Sequence, residues 1–309
     1  MQKQHLKAGV GRLCRLFGKT RQAFYDQANR YTTRQIKDAL IVDAVKTAKT
    51  TVSASMGALK TLSIIRPELQ NYQISIGRDR FYRLLRDHDL LVKRRKRRYA
   101  ITTNSNHPFR KYSDLTGAIT LNRAEQLWVS DITYLRTHGG FSYLSVITDA
   151  YSRKIVGYHL SQSLSVKGCL IALDKAIASR QQKSEGLVHH SDRGIQYCCD
   201  AYVNRLKENN IGISMTQNGS PYENALAERV NGILKTELGL NKMFRYYSDA
   251  IGPVARAVDI YNRLRPHMSL DYMTPSQAHK IDGRLKKRWK AKTYKPCHTP
   301  ILKCTVKLF

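Results

Sequence analysis

Acidic residues are scarce in this 309-residue chain: 23 Asp and Glu stand against 53 Lys and Arg, a formal net charge of +30. So large an excess of positive charge makes nucleic acid the expected partner, with a structural protein of ribosomal or chromatin type as the alternative. The chain also lacks any apolar run near the roughly 18–20 residues of a membrane span, and its start contains no signal-peptide apolar region. We therefore expect a cytoplasmic protein with no membrane partner.

Cysteine is also used sparingly, with six residues in all. They contain no Cys-x-x-Cys pair and no zinc-finger spacing, so no zinc site is predicted and a reducing cytosol is the simplest compartment. The adjacent His189 and His190 lack further Cys or His partners at zinc-binding spacing. A role in orienting substrate or in proton transfer is the alternative for one of them.

Four regions are predicted along the chain. Residues 1–92 form a small all-helical, helix-turn-helix-like DNA-binding region, 93–123 a basic linker, 124–280 an α/β core, and 281–309 a basic C-terminal tail. The boundaries follow changes in composition, from helical apolar spacing to a cluster of cations and then to strand-like alternation.

The first helices of residues 1–92 surround a glycine-containing break. Segments 11–17 and 22–27 have apolar residues at helical spacing, and Thr20 is placed to cap the second helix. A helix-turn-helix would then present Arg21 and Gln22 to DNA. An ordinary helical hairpin fits this pattern equally well.

Two further amphipathic helices are predicted, at 34–50 and 78–91. The residues expected inside are Ile36, Ala39, Leu40, Val42, Ala44 and Val45 in the first, and Phe81, Leu84, Leu85 and Leu91 in the second.

Six consecutive cations follow the last of these helices: Lys93, Arg94, Arg95, Lys96, Arg97 and Arg98. Such a run is typical of a solvated arm, and on a DNA enzyme that arm also serves as a phosphate clamp. Residues 284–295 form a second basic cluster around Trp289, for which a DNA contact and a disordered tail are equally good interpretations.

Strand-like alternation begins near residue 127. The expected strands are 127–135, 141–149, 154–160, 186–190 and 213–216, and the expected helices are 166–179, 199–210 and 221–238. This βββαβαβα order predicts an α/β fold of the ribonuclease H type. In that fold the first strand lies beside the fourth, so acids at the ends of both strands meet.

Three acids occupy such positions: Asp131 on the first strand, Asp192 after the fourth, and Glu228 on the last long helix. Each could be structural by itself, Asp131 as a hydrogen-bonded core residue and Asp192 as a turn cap. Together they predict a site for two Mg²⁺ ions, with Mn²⁺ as a substitute, because hard cations prefer oxygen ligands. Glu223 is a competing third ligand and Glu237 a weaker one.

Two neighbouring features of the last helix belong to the same hypothesis. Lys235 stands two turns beyond Glu228 and could reach a DNA phosphate, although a solvated helical lysine is the simpler interpretation. The polar, glycine-containing stretch 216–224 resembles a mobile active-site loop, a composition that long turns share. Arg229, next to Glu228, is a candidate DNA contact.

Several motifs resemble one family. Segments 128–134, 149–157, 190–197, 220–228 with Lys235, and 261–267 followed by Leu270, Thr274 and Pro275 occur in the order found in transposases with a retroviral-integrase-type core. The closest resemblance is to the second-frame (OrfB) product of bacterial insertion sequences of family three. It extends over about 126–276, roughly half of the chain.

The resemblance implies an enzyme: a DNA transposase in which Asp131, Asp192 and Glu228 form the acid triad and Lys235 is the associated basic residue. It also implies that the protein binds double-stranded DNA, forms a homo-oligomer on that DNA and has an upstream-frame (OrfA) protein as a partner. The expected location is the bacterial nucleoid. The amino-terminal half departs from the family, because 55–61 replaces the usual Tyr-Gly-x-Arg motif. A catalytically inactive DNA-binding protein and an RNA-cleaving nuclease remain the alternatives.

Overall fold

The computed structural model of the chain describes residues 9–92, 108–181, 186–217 and 225–285. A helical region comes first and an α/β region follows. The helices are α1 (Val10–Leu16), α2 (Arg21–Thr51), α3 (Ala58–Asn71), α4 (Arg78–Asp87), α5 (Val166–Ala178), α6 (Ile195–Cys198), α7 (Asp200–Glu208), α8 (Ala225–Thr236), α9 (Tyr247–Asp259) and α10 (Pro275–Ala278). The strands are β1 (Leu127–Thr137), β2 (Gly140–Asp149), β3 (Ile155–Ser161), β4 (Val188–Ser191) and β5 (Gly212–Met215).

The five strands form one mixed sheet in the order β3-β2-β1-β4-β5. Strands β1 to β3 are an antiparallel meander, whereas β4 runs parallel to β1 and β5 parallel to β4. The expected fourth strand therefore does lie beside the first, and the predicted ribonuclease H-like α/β fold is confirmed.

Helices cover both faces of the sheet, which is why its strands are buried on both sides. On one face Trp128 and Ile147 pack with α5 and α7, and on the other Leu135 and Val146 pack with α8 and α9. Since successive residues of a strand point to opposite faces, Asp131 points away from Trp128 and toward α8.

The helical region differs from the prediction in one respect. The second helix of the proposed helix-turn-helix and the helix expected at 34–50 are a single 31-residue helix, α2, because neither Gly nor Pro interrupts it. Thr20 caps α2 as predicted, and its hydroxyl oxygen accepts from the Ala23 N–H at 3.0 Å.

Packing along α2 is uneven. Its last third, including Val42, Ala44 and Val45, is buried against α3 and α4, as expected. Ile36, Ala39 and Leu40 were expected inside but are exposed, because the apolar cluster that α2 shares with α3 and α4 contains α2 residues only from Ile41 onward.

Two other helices depart from the sequence pattern. Helix α3 was not predicted, since Pro67 lies inside it and proline usually ends a helix. The helix expected at 199–210 is α7, and a short helix that was not predicted, α6, precedes it; Cys199 between them has an extended backbone (ψ 149°). In α4, Phe81, Leu84 and Leu85 are buried as predicted.

No helix among the described residues is both long and apolar enough to cross a lipid bilayer.

Candidate active site

Asp131 and Asp192 are brought together by the pairing of β1 with β4. The two strands are in parallel register, with Val129 opposite His190, and each aspartate lies two residues beyond that pair. Strand β4 ends at Ser191, so Asp192 stands where the sheet opens beside the continuing β1. Strand ends of this kind are where ligand sites of open α/β sheets gather.

The carboxyl group of Asp131 has two donors. The side-chain amide of Asn231 donates to Oδ2 at 2.8 Å and the backbone N–H of Ile132 donates to Oδ1 at 2.9 Å. Burial, together with the negative charges of Asp192 and Glu228, raises the pKa of Asp131 to about 7 against the effect of these hydrogen bonds. Asp131 is therefore a group on which negative charge is costly without a nearby cation.

Asp192 is held by the turn that follows it. The N–H of Gly194 donates to its Oδ1 at 3.1 Å, and a Cβ added at Gly194 would lie 3.0 Å from the same oxygen. The turn-capping role considered for Asp192 is thus present. Asp192 remains partly exposed, and its charge raises the pKa of Asp131.

Helix α8 contributes three polar residues at helical spacing: Glu228, Asn231 and Lys235. Asn231 is buried and binds Asp131, a role that sequence reasoning did not assign to it, although its place one turn after Glu228 was the available signal. Lys235 is partly buried. Burial lowers its pKa, while the charge of Asp131 favours its protonated form.

Of the three predicted acids, Asp131 and Asp192 lie together, whereas Glu228 does not join them. Glu228 is exposed near the start of α8, and its charge affects the pKa of Asp131 less than that of Asp192 does. Within the four described ranges, no group of three or more His, Cys, Asp or Glu side chains is arranged to hold a metal ion. Asp131 and Asp192 form a pair of hard oxygen donors whose crowded charge suits a divalent cation, and Glu228 stands apart from them.

The two competing glutamates have different outcomes. Glu223 lies outside the described residues, as does most of the predicted loop 216–224. Glu237 is engaged elsewhere: Arg265 donates to both of its carboxylate oxygens at 3.0 and 2.8 Å, and Lys60 Nζ lies 3.2 Å from one of them. Glu237 is therefore an ion-pair residue of the interior, and the suggestion that it binds the metal is wrong.

His189 and His190 are also interior residues rather than substrate contacts. His189 Nε2 lies 3.0 Å from the Tyr202 hydroxyl, and His190 Nδ1 lies 2.8 Å from the Ser214 hydroxyl. Burial lowers the pKa of His189 to about 3. The idea that one of them orients substrate or transfers protons is not supported, because both side chains are fully enclosed.

The candidate DNA contacts are partly described. Arg21 and Gln22 are exposed on the first turn of α2, and Arg229 is exposed on α8. The basic run Lys93, Arg94, Arg95, Lys96, Arg97 and Arg98 lies outside the described residues, as does most of the cluster 284–295. All of these remain predictions.

Comparison with known proteins places this chain in a family. Two integrase core domain families match, one over residues 122–221 and the other over 209–275. The 31 kDa protein of insertion element IS600 from Shigella sonnei, whose name describes it as uncharacterized, is 32% identical over 267 residues. That match covers 85% of this chain and 96% of the relative.

Named transposases are similar as well. The transposase InsF of insertion sequence IS3A from Escherichia coli K12 is 34% identical over 153 residues, 49% of this chain and 53% of the relative. The solved intasome of simian T-cell lymphotropic virus contains a chain with 20% identity and a TM-score of 0.45. It covers 62% of this chain and 67% of that one. The chain belongs to the insertion-sequence transposases with an integrase core domain, of the family-three second-frame type that its motifs predicted.

Proposed function

We propose that this transposase cleaves DNA strands at the ends of its insertion element and joins the resulting 3′-hydroxyl to another phosphodiester. Asp131, Asp192 and Glu228 would be the metal ligands of this reaction. The observation that supports the proposal most is the environment of Asp131, where burial, the adjacent charge of Asp192 and the weaker effect of Glu228 raise the pKa to about 7. Such crowding of negative charge is typical of sites that are completed by a cation.

The donor set of the site fits Mg²⁺, for which Mn²⁺ is a common substitute. When bound, two such ions would polarise the scissile phosphate and neutralise the charge that develops on it. The side chains of the protein would orient the metal ligands and bind the phosphate. Asn231 donates a hydrogen bond to Asp131 and would fix its orientation, and Lys235 would bind a phosphate oxygen. Glu228 would have to approach the aspartate pair, because it stands apart from it in this structure.

The partners follow from the same proposal. Element ends and target DNA would be bound as duplexes by residues 1–92, with Arg21 and Gln22 on the reading helix and Lys93 to Arg98 on the phosphates. Processing of two element ends requires a homo-oligomer on DNA. An upstream-frame (OrfA) protein would add recognition of the terminal repeats, since 55–61 departs from the family motif.

The rival function is a catalytically inactive DNA-binding protein that acts as a repressor or assembly partner. Against it stands the retention of acids that are costly without a cation, above all Asp131. An RNA-cleaving nuclease would need the acids but not the helical region or the basic run. Activity on duplex DNA compared with an RNA–DNA hybrid separates this possibility from the first.

The decisive experiment is strand transfer on DNA that carries the element ends, with Mg²⁺ or EDTA, using wild type and Asp192→Asn. We expect joining that requires metal and a loss of at least about 10³-fold in the variant, because removal of an essential catalytic group has effects of this size. DNA binding, measured in EDTA, should stay within about twofold. The upstream-frame protein is added in a parallel arm.

Asp174→Asn is the matched control, since Asp174 is an exposed aspartate on α5 that pairs with Arg205. Normal joining by Asp192→Asn would remove Asp192 from the mechanism. Tight DNA binding by wild type without cleavage, even with the upstream-frame protein, would favour the inactive DNA-binding protein instead.

A further inference from the structure

Two sequence motifs that the active site does not use meet at one residue. Segment 55–61, which departs from the family motif, begins α3, and segment 261–267 spans a π-helical turn (Ile260–Leu264) and the residues after it. Lys60 of the first and Arg265 of the second both pair with Glu237. Glu237 is the residue immediately after α8, the helix that contains Glu228, Asn231 and Lys235.

The backbone of Glu237 takes part in the same junction. Its carbonyl accepts a hydrogen bond from the hydroxyl of Ser53, which belongs to the turn between α2 and α3. Carbonyl groups at a helix C-terminus have no partner within the helix, so an external donor there stabilises the end of α8. The helical region therefore contacts this end of α8 at two points: Ser53 binds the backbone carbonyl of Glu237, and Lys60 binds its side chain.

The junction formed by Lys60, Glu237 and Arg265 is largely enclosed, so solvent does not separate its charged groups. The side chains of Lys60, Glu237 and Arg265 are 14%, 12% and 2% exposed. Burial, with the charge of Arg265, lowers the pKa of Lys60 to about 8, and the two cations hold the pKa of Glu237 below its usual value. Ion pairs away from solvent are screened far less than surface pairs, so each partner affects the others strongly.

We propose that Lys60 is a positioning residue for catalysis: through Glu237 it lets the helical region hold α8 in the orientation in which Asn231 binds Asp131. This inference rests on the proposed function, in which Asp131 is a metal ligand. Glu237 lies six residues after Asn231, about 9 Å along a rigid helix, so a shift at one end is transmitted to the other. Docking of the helical region on DNA would thereby influence the metal site.

The test uses Lys60→Met in the full-length chain. Methionine keeps the length and the apolar stem of lysine and removes the charge, while Glu237 keeps its pair with Arg265. Glu237→Gln is the less useful variant, because it leaves Arg265 buried without a compensating charge and the chain could fail to fold. Lys60→Arg is the conservative variant, and Lys46→Met removes an exposed lysine of the same region as a control.

Two measurements are made on each variant. The first is the Mg²⁺ concentration that gives half-maximal strand transfer, together with the rate at saturating Mg²⁺. The second is amide hydrogen exchange of α8 relative to α5, without metal or DNA. For Lys60→Met we expect a threefold to tenfold higher Mg²⁺ midpoint, a saturated rate close to wild type, and faster exchange in α8 only. Lys60→Arg and Lys46→Met should resemble wild type.

A purely structural contact gives a different pattern. A lower melting temperature with an unchanged Mg²⁺ midpoint, or α8 exchange that changes no more than that of α5, would overturn the proposal. If wild type shows no metal-dependent joining, the proposed function fails. Hydrogen exchange then decides by itself whether Lys60 holds α8, because it requires neither metal nor activity.

Discussion

At the scale of single residues, Asp131 is both a proposed metal ligand and a group whose ionisation lowers the stability of the folded chain. A carboxyl group with a raised pKa is protonated in the folded chain at pH values where it is ionised in the unfolded chain. With a usual value of 3.8 and a folded value of about 7, unfolding releases a proton between these limits. The free energy of unfolding contributed by this group therefore falls as pH rises from about 4 to 7.

Asp131→Asn removes this titration and gives a prediction that needs no DNA. In EDTA, we expect the variant to be more stable than wild type at pH 8 by roughly 2–4 kcal/mol and equally stable near pH 3.5, if both remain folded there. Chemical denaturation across this pH range measures the difference. Asp43→Asn, at an exposed position of α2, should show no such trend. A constant difference at all pH values would mean that Asp131 is ionised in the folded protein.

Asn231 shows why the sequence revealed only part of the site. The three acids could be proposed from the sequence because acids are rare in this chain and these fall at the ends or faces of predictable elements. Asn231 follows Glu228 by one turn, yet nothing in an asparagine at that spacing shows that it donates to Asp131. That contact depends on the distance between α8 and β1, which a local pattern does not contain.

At the scale of secondary structure, alternation was a better guide than helical spacing. All five strands lie within a few residues of their predicted positions, because runs rich in β-branched and aromatic residues between turn residues mark strands even in a sheet that is covered on both faces. The sequence did not predict helix α3, because Pro67 interrupts its apolar pattern. It predicted two helices in place of α2, because only the last third of α2 is buried. Burial is set by the neighbours of a helix, and those were unknown.

The contact of β3 with α5 gives a prediction at this scale. Gly157 lies on β3, and a Cβ added there would be 2.1 Å from the carbonyl oxygen of Ala172 and 2.8 Å from the Cβ of Ala176. Gly157→Ala must therefore separate β3 from α5, which we expect to cost about 3 kcal/mol in the free energy of unfolding.

Gly252→Ala is the matched control for that substitution. Gly252 is exposed within α9, and a Cβ there meets nothing within 4 Å. Alanine should stabilise the helix by about 0.5–1 kcal/mol, since it restricts the unfolded chain and favours helix. Denaturant unfolding of both variants measures the effects. Equal stability of the two would show that β3 and α5 can move apart without penalty.

At the scale of the whole molecule, the contacts that join its regions were the least predictable. Lys60 and Glu237 are 177 residues apart in sequence, and neither has a local pattern that identifies a partner. Glu237 even resembled a metal ligand, because acids are rare in the chain and it lies just beyond Glu228. A charge in the interior is understood only when its counter-charges are located, and that requires the assembled fold.

The net charge of +30 leads to a prediction about DNA binding. Cations that contact duplex phosphates release counterions, so the slope of log K against log salt concentration measures their number. Neutralising Lys93 to Arg98 with glutamine should make this slope less steep by up to about 5, at roughly 0.9 per phosphate contact. Fluorescence anisotropy with a duplex, between 50 and 300 mM salt, is suitable.

The control must distinguish the loss of direct phosphate contacts from a general decrease in the positive charge of the chain. Lys167, Lys175 and Lys207 are exposed on α5 and α7, on the opposite face of the sheet from α8, and their replacement by glutamine also lowers the net charge. We expect that variant to keep the wild-type slope, because its lysines lie away from the acid pair. Equal slopes for wild type and the Lys93–Arg98 variant would exclude the basic run as a phosphate clamp and leave Arg21, Arg229 and the basic cluster 284–295 as the candidate contacts.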